Sequence, residues 1–193
     1  MGIEFELKFR ATPVQQVLLM KKFPQEATSF AMETTYYDTP DGALSARVYT
    51  LRRRMENDLS VCTLKAPAGT YGRKEFEVNC QSIEEAIPEL CKLSGIDELA
   101  ALTAKGVVPL CGAKFTRIAK TLTLPDCKVE LALDQGVLTG GGKELPLCEV
   151  EVELKEGKPE AAIVFAKALA EEYGLVPEKK SKFVRARALA MGE

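Results

Sequence analysis

The chain has 193 residues, 46% hydrophobic and 28% charged, with a net charge of −2; it is long enough to bury a sizeable core, and no global basic field draws nucleic acid to it. Histidine is absent and the six cysteines form no CxxC pair, which excludes a zinc site of the usual Cys/His kind and removes the commonest general base. No apolar run reaches the roughly 20 residues that span a bilayer, and no signal peptide is present, so a cytoplasmic protein with reduced thiols is expected.

Residues 2–11 alternate strictly and read as a strand: Ile3, Phe5, Leu7 and Phe9 face one way, Glu4, Glu6, Lys8 and Arg10 the other. Thr12 is a fitting N-cap and Pro13 a fitting first residue for a helix running to about Phe23. Residues 31–38 are rich in β-formers, with Tyr36 and Tyr37 expected in the core, and 39–44 (TPDGAL) turn into a short helical piece. Residues 47–56 and 59–66 form a hairpin around Glu56-Asn57-Asp58, and 72–80 a further alternating strand. Ser82-Ile83-Glu84-Glu85 has the form of a capping box, opening a helical region to about Ala104 that Pro88 and Gly95 should break. Strands follow at about 113–124, 127–134 and 144–155, with a weaker one at 136–140 before a turn at Gly140-Gly141-Gly142. A helix from Pro159 to Tyr173 is capped by Gly174, and 181–190 form a last short helix. There is no repeat or long linker, so one domain over 1–193 is expected. Its class is α+β, an antiparallel sheet curled or closed, with helices at the periphery. Val17, Leu18, Ile163 and Phe165 are expected to cover its apolar face.

The period of two sorts the charges as well. Arg52 and Arg54 share a face, as do Val61, Thr63 and Lys65, then Arg73, Glu75 and Glu77, then Lys128, Glu130 and Asp134, then Glu149, Glu151, Glu153 and Lys155. Nearly every strand thus has one apolar and one charged face. An open sheet wet on one side gives the same pattern. The density of Arg and Glu argues against it, because like carboxylates roughly 7 Å apart along a strand require cations nearby. A sheet curled around this face would form a polar tunnel. Its ligand would carry several negative charges and a divalent metal: Arg and Lys grip phosphoryl oxygens, while carboxylates hold Mg²⁺ or Mn²⁺.

The first block, Glu4-Phe5-Glu6-Leu7-Lys8, resembles the GluXGluXLys motif of the CYTH superfamily, the triphosphate tunnel metalloenzymes. So do TTYYDTPDGAL (34–44), LRRR (51–54), TLK (63–65), RKEFE (73–77), ALDQG (132–136), CEVEVELK (148–155) and SKFVRA (181–186), in the family's order and over nearly the whole chain. ALDQG and CEVEVELK are most similar to the bacterial inorganic triphosphatase branch. The resemblance implies a closed eight-stranded antiparallel β-barrel in which a triphosphate is hydrolysed with Mg²⁺ or Mn²⁺. It implies metal binding by Glu4, Glu6, Asp134, Glu149 and Glu151. It implies substrate binding by Lys8, Arg52, Arg54, Lys65, Arg117 and Lys182, to which the charged faces and the last helix add Arg73 and Arg185. Lys8, Lys65, Glu151 and Lys182 are the candidates for catalysis, with Lys65 or Lys182 orienting water or protonating the leaving phosphate. Glu75, Glu77, Glu130 and Glu153 would point inward, fixing arginines or standing behind the metal ligands.

Inorganic tripolyphosphate is the expected substrate. The rivals are an organic triphosphate (thiamine triphosphate, a nucleoside or an RNA 5′-triphosphate), cyclisation of ATP, and polyphosphate binding without hydrolysis. No nucleic-acid or membrane partner is expected, and the expected assembly is a monomer or homodimer. The histidine-rich helical domain that often follows this fold is missing after SKFVRARALA, which implies a stand-alone enzyme. Residues 88–112 match none of the family's motifs.

Overall fold

A computed structural model describes residues 2–3, 5–68 and 73–193. The first strand is divided into β1 (Gly2–Ile3) and β2 (Glu6–Arg10). Helix α1 (Pro13–Lys22) starts on a reciprocal cap: the Thr12 hydroxyl accepts from the Gln15 N–H at 3.3 Å, and the Gln15 side chain accepts from the Thr12 N–H at 2.7 Å. There follow β3 (Thr28–Asp38), α2 (Ala43–Ala46), β4 (Thr50–Glu56), β5 (Leu59–Pro67), β6 (Arg73–Asn79), α3 (Ile83–Ser94) and α4 (Asp97–Thr103). The chain continues through β7 (Val108–Thr123), β8 (Cys127–Gly140), β9 (Lys143–Gly157), α5 (Pro159–Tyr173), β10 (Val176–Pro177) and α6 (Lys182–Met191). No helix among the described residues is long and apolar enough to cross a membrane. All six cysteines are free thiols.

The α+β class expected from the sequence is present: six helices pack on one antiparallel sheet of order β1-β6-β5-β4-β3-β7-β8-β9-β2-β10. Among the described residues ten strands are formed where eight were expected, for two reasons. β1 and β2 bond different partners, β1 to β6 (Gly2↔Glu75) and β2 to β9 (Lys8↔Glu151). The N-terminal segment thereby touches both flanks of the seven-strand run from β6 to β9. β10 is a two-residue addition on the other edge of β2, pairing Val176 with Arg10.

The apolar faces read from the sequence are buried. Phe9, Leu131, Leu133, Val150 and Val152 pack under Leu19 of α1 and Ala162, Ala166 and Leu169 of α5. Leu51, Cys62, Leu64, Phe76 and Val78 pack under Leu44, Ile83, Ala86, Leu90 and Leu99 of α2, α3 and α4. Helix α6 departs from the expected arrangement. It lies on the charged face of the sheet, where Met32, Tyr36, Ala113, Phe115, Leu138 and Leu147 form an apolar end that Ala186 seals. Gly140 makes this docking close: a Cβ there would stand 2.5 Å from the Ala186 carbonyl oxygen.

Three further expectations are corrected. Val17 and Leu18 are 52% and 47% exposed, and α1 instead buries Leu19 and Gln16. Gln16 is tolerated there because its amide donates to the backbone carbonyls of Asp134 (3.0 Å) and Glu149 (2.8 Å). Pro88 does not break its helix. Buried Ile83, Ala86 and Leu90 hold α3 against the sheet, and this packing outweighs the missing hydrogen bond; only Gly95, left-handed at φ 63°, ends it. The segments 127–134 and 136–140 are one strand, β8, running through Gly136. The Gly141-Gly142 turn, with φ of 58° and 73°, joins it to β9 as a two-residue hairpin.

Gly136 keeps β8 continuous by close approach, since a Cβ would lie 2.1 Å from the Lys114 carbonyl oxygen and 2.5 Å from the Phe115 Cα. Gly136→Ala should therefore destabilise the fold by about 1–3 kcal/mol, measured as a lower Tm. An unchanged Tm would show that β7 and β8 separate there without cost.

Candidate active site

The charged faces converge on a cavity of about 280 Å³ on the sheet face that also carries α6. Its walls come from β2 (Glu6, Lys8), β3 (Thr34, Tyr36), β4 (Thr50, Arg52, Arg54), β5 (Lys65), β6 (Arg73), β7 (Phe115, Arg117) and β9 (Glu151, Glu153), and Ser181, Lys182 and Phe183 close one side. A second space of about 250 Å³ shares Arg52, Arg54, Arg117 and Glu153 with the first, and adds Glu56, Glu75, Glu77, Glu130 and Lys155. Strands far apart in sheet order thus meet across one charged interior, so the sheet is strongly curled.

The cations are held in graded ways. Lys8 lies 2.8 Å from Glu6; burial alone would lower its pKa, but Glu6 and then Glu151 outweigh it and raise the value. Arg52 meets Glu75 at 3.0 Å and Glu77 at 3.8 Å, and Lys65 meets the same Glu75 at 3.2 Å. Arg73 donates to the Val48 carbonyl (2.8 Å), the Thr50 hydroxyl (2.9 Å) and the Lys65 carbonyl (3.1 Å). Arg54 pairs with Glu56, yet burial and then the charge of Arg52 push its pKa down, and its Nε is buried without a hydrogen-bond acceptor. Guanidinium groups gathered in a buried space favour the binding of an anion there.

Three carboxylates gather at the cavity wall, Glu151 in it and Asp134 and Glu149 behind it. Asp134 is 0% exposed, Glu149 1% and Glu151 6%, and each offers an oxygen within 4.8 Å of the others'. Register explains the grouping: Asp134 faces Glu149 across β8 and β9, and Glu151 lies one inward position further along β9. Arg117, opposite Asp134 on β7, donates to both its oxygens (2.8 and 2.7 Å) and also to Glu151. Lys182 reaches all three carboxylates, at 2.8, 2.8 and 2.6 Å. Burial would raise the pKa of Glu151, but Lys182 and Arg117 hold it far below the usual carboxylate range. Hard oxygen donors at this spacing are the kind that Mg²⁺ and Mn²⁺ take.

The expected residues are thus gathered unevenly. Asp134, Glu149 and Glu151 come together. Glu6 borders the cavity but binds Lys8 rather than joining them, and Glu4 lies outside the described residues. Lys8, Arg52, Arg54, Lys65, Arg73, Arg117 and Lys182 line the cavity. Arg185 is not among the lining residues; its guanidinium rests on Glu149. Glu75 fixes Arg52 and Lys65, whereas Glu153 and Glu130 meet Lys155 at 2.9 and 3.9 Å. The sequence reading did not assign Tyr36, Phe115, Phe183 or Gln16 to the site. Tyr36 is buried as expected, but against Phe183 (centroids 5.1 Å apart) and facing the cavity. Its place on the inward parity of β3, with Thr34, was the available signal.

The sequence pattern of the CYTH domain matches residues 2–186. The chain belongs to the CYTH domain family. An inorganic triphosphatase of Haemophilus influenzae is 30% identical over 190 residues, which is 94% of this CYTH chain and 53% of that protein. The chain therefore spans about half the length of this curated relative. Among solved structures, the CYTH fold here is similar to a protein of Pyrococcus horikoshii (TM-score 0.66, 22% identity, 98% and 99% of the two chains). It is equally similar to a putative adenylyl cyclase from Hippeastrum that is described as having a dominant triphosphatase activity (TM-score 0.67, 20% identity, 97% and 96% covered). At these identities the two structures speak to the fold.

Proposed function

We propose that this CYTH domain, over residues 1–193 as one unit, is an enzyme that hydrolyses inorganic tripolyphosphate to pyrophosphate and phosphate with Mg²⁺ or Mn²⁺. The observation that carries the reading is the pairing of two opposite demands in one interior. Arg52, Arg54 and Arg117 line one cavity, where burial and the charge of Arg52 bear on the Arg54 guanidinium despite its pairing with Glu56, while of three buried carboxylates Glu151 lines the same cavity and Asp134 and Glu149 lie next to it. A plain anion binder gains from the arginines and loses from the carboxylates. A metal–polyphosphate complex satisfies both. The similarity to the Haemophilus protein supports the same substrate. We further read the curled sheet as a closed tunnel, because the N-terminal segment bonds β6 through β1 and β9 through β2.

Asp134, Glu149 and Glu151 would hold the metal, with Glu4 and Glu6 as further candidates. A divalent ion held there would supply positive charge to phosphoryl oxygens and lower the pKa of a bound water. The chain's own residues supply the rest. Lys8, Arg52, Arg54, Lys65, Arg73 and Arg117 hold the phosphate chain and stabilise charge as it spreads over the transferred group. Water attacks a terminal phosphorus and passes its proton to the carboxylate that orients it, the bridging P–O bond breaks, and Lys65 or Lys182 would give the leaving oxygen a proton. Without histidine, a carboxylate orients the water. The free thiols support a cytoplasmic setting; we read the protein as a monomer or homodimer with no nucleic-acid or membrane partner.

Phosphate release from tripolyphosphate, ATP and thiamine triphosphate, each with Mg²⁺, Mn²⁺ or EDTA, tests this. Fast release from tripolyphosphate that EDTA abolishes is expected. Tight binding without release would make the domain a binding module, and cyclic AMP from ATP would make it a cyclase.

A further inference from the structure

Lys182 is the first residue of α6, behind the N-cap Ser181, whose hydroxyl accepts from the Val184 N–H. The docking of α6 through Ala186 and Gly140 fixes where this lysine enters the interior. Its Nζ touches every member of the carboxylate trio, 2.8 Å from Asp134, 2.8 Å from Glu149 and 2.6 Å from Glu151. A divalent ion held by the trio would need those same oxygens, at about 2.0–2.1 Å for Mg²⁺. Arg117 and Arg185 approach the trio from its sides, but the ammonium and the ion would claim the same three oxygens at once, and their mutual repulsion sets them in competition. Asp134 and Glu149 do not border the cavity, whereas Lys182 does. Glu151 borders the cavity as well, and the Lys182 ammonium, in contact with all three carboxylates, links Asp134 and Glu149 to the space where an anion would lie.

We infer that Lys182 is a resident counter-ion that shares the trio in turn with the divalent metal, and that it transfers its ammonium to the anionic substrate when the metal enters. The inference rests on the metal reading above and adds a coupling to it. Entry of metal alone sends an ammonium into a cavity already crowded by Arg52, Arg54 and Arg117. Metal binding without substrate is therefore weak. A polyphosphate in the cavity accepts the displaced ammonium and removes that cost. Metal and triphosphate then strengthen each other's binding by the same factor, as linkage requires. Arg117 and Arg185 keep their own carboxylate contacts, so the trio retains partners while Lys182 moves.

The test is Mn²⁺ binding to the full chain without phosphate, read from the free-ion electron paramagnetic resonance signal. Wild type, Lys182→Met and Lys182→Arg are compared, with folding checked by circular dichroism. Lys182→Met should bind Mn²⁺ roughly 10- to 100-fold more tightly than wild type, and Lys182→Arg, which keeps the charge, should stay weak. A folded Lys182→Met that binds no more tightly than wild type overturns the inference. Should that variant not fold, the wild type decides by NMR of ¹⁵N-labelled lysine side chains, with Lys182→Arg identifying the Lys182 signal. That signal should shift in step with Mg²⁺ saturation, and an unmoved signal at saturation overturns the inference. A failure of the underlying metal reading looks different: none of the three proteins would bind Mn²⁺ even at millimolar concentration.

Discussion

Glu151→Gln is expected to lower kcat/KM for metal-dependent tripolyphosphate hydrolysis by about 10²–10³-fold, a loss of roughly 3–4 kcal/mol of transition-state stabilisation. Three roles meet at this one carboxylate. It is part of the trio with Asp134 and Glu149, it accepts from Lys182, and it anchors Arg117 beside the cavity. Glutamine keeps the volume and a carbonyl acceptor but removes the charge, so the backbone register of β9 should survive. Steady-state kinetics with Mn²⁺, beside a far-ultraviolet circular dichroism spectrum, make the comparison. A folded variant with less than a threefold loss would place the chemistry elsewhere in the cavity, most directly on Glu6.

The second large effect concerns stability. Arg117→Met should cost about 3–5 kcal/mol, because it strips the guanidinium from two buried carboxylates and leaves Lys182 as the remaining cation for both, and an under-compensated buried charge is costly. For a chain of this length that corresponds to a fall in Tm of about 6–20 °C. The pH dependence has a definite sign. In the wild type the folded-state pKa of Glu151 is depressed, so its contribution to stability is present above the ordinary value of 4.5 and is lost as pH falls below it. With Arg117 removed, much of that contribution disappears. The gap in Tm between wild type and variant should therefore be widest near neutrality and narrow below about pH 4.5. Adding Glu151→Gln to Arg117→Met should recover part of the loss, since it removes one of the two stranded charges. A gap that widens in acid, or a neutral-pH fall of under about 2 °C, would show that Lys182 alone suffices as partner of these acids.

Much of the molecule was legible in advance because it depends on short-range rules. Alternation in LRRR assigned Arg52 and Arg54 inward and Leu51 outward, and Leu51 is 1% exposed while both arginines line the cavity. Thr12-Pro13, Ser82 and Gly174 marked helix ends that the backbone adopts within a residue. Local rules misled where a tertiary contact overrode them. Pro88 stays helical because α3 is held by Ile83, Ala86 and Leu90. The sequence reads as two strands, 127–134 and 136–140, and Gly136 is instead the residue within one strand that lets β8 pass close to β7. Gln16 gave no apolar signal and is nonetheless buried, since its partners are carbonyls 118 and 133 residues away.

The sequence by itself determined which residue types face inward, and with them the chemistry of the interior, because side-chain direction along a strand repeats every two residues regardless of what lies beside it. Tertiary structure alone decided which of those residues meet. Arg117 and Asp134 are 17 residues apart, and Lys182 and Glu151 are 31 apart; they touch because of strand register and because α6 docks on the charged face. The sequence offered five acids as one metal set, and the fold brings three of them within 4.8 Å while leaving Glu6 on Lys8. That selection depends on the pairing of β8 with β9 and on the small surface that Gly140 and Ala186 present to each other. Both are long-range steric facts that no local pattern encodes.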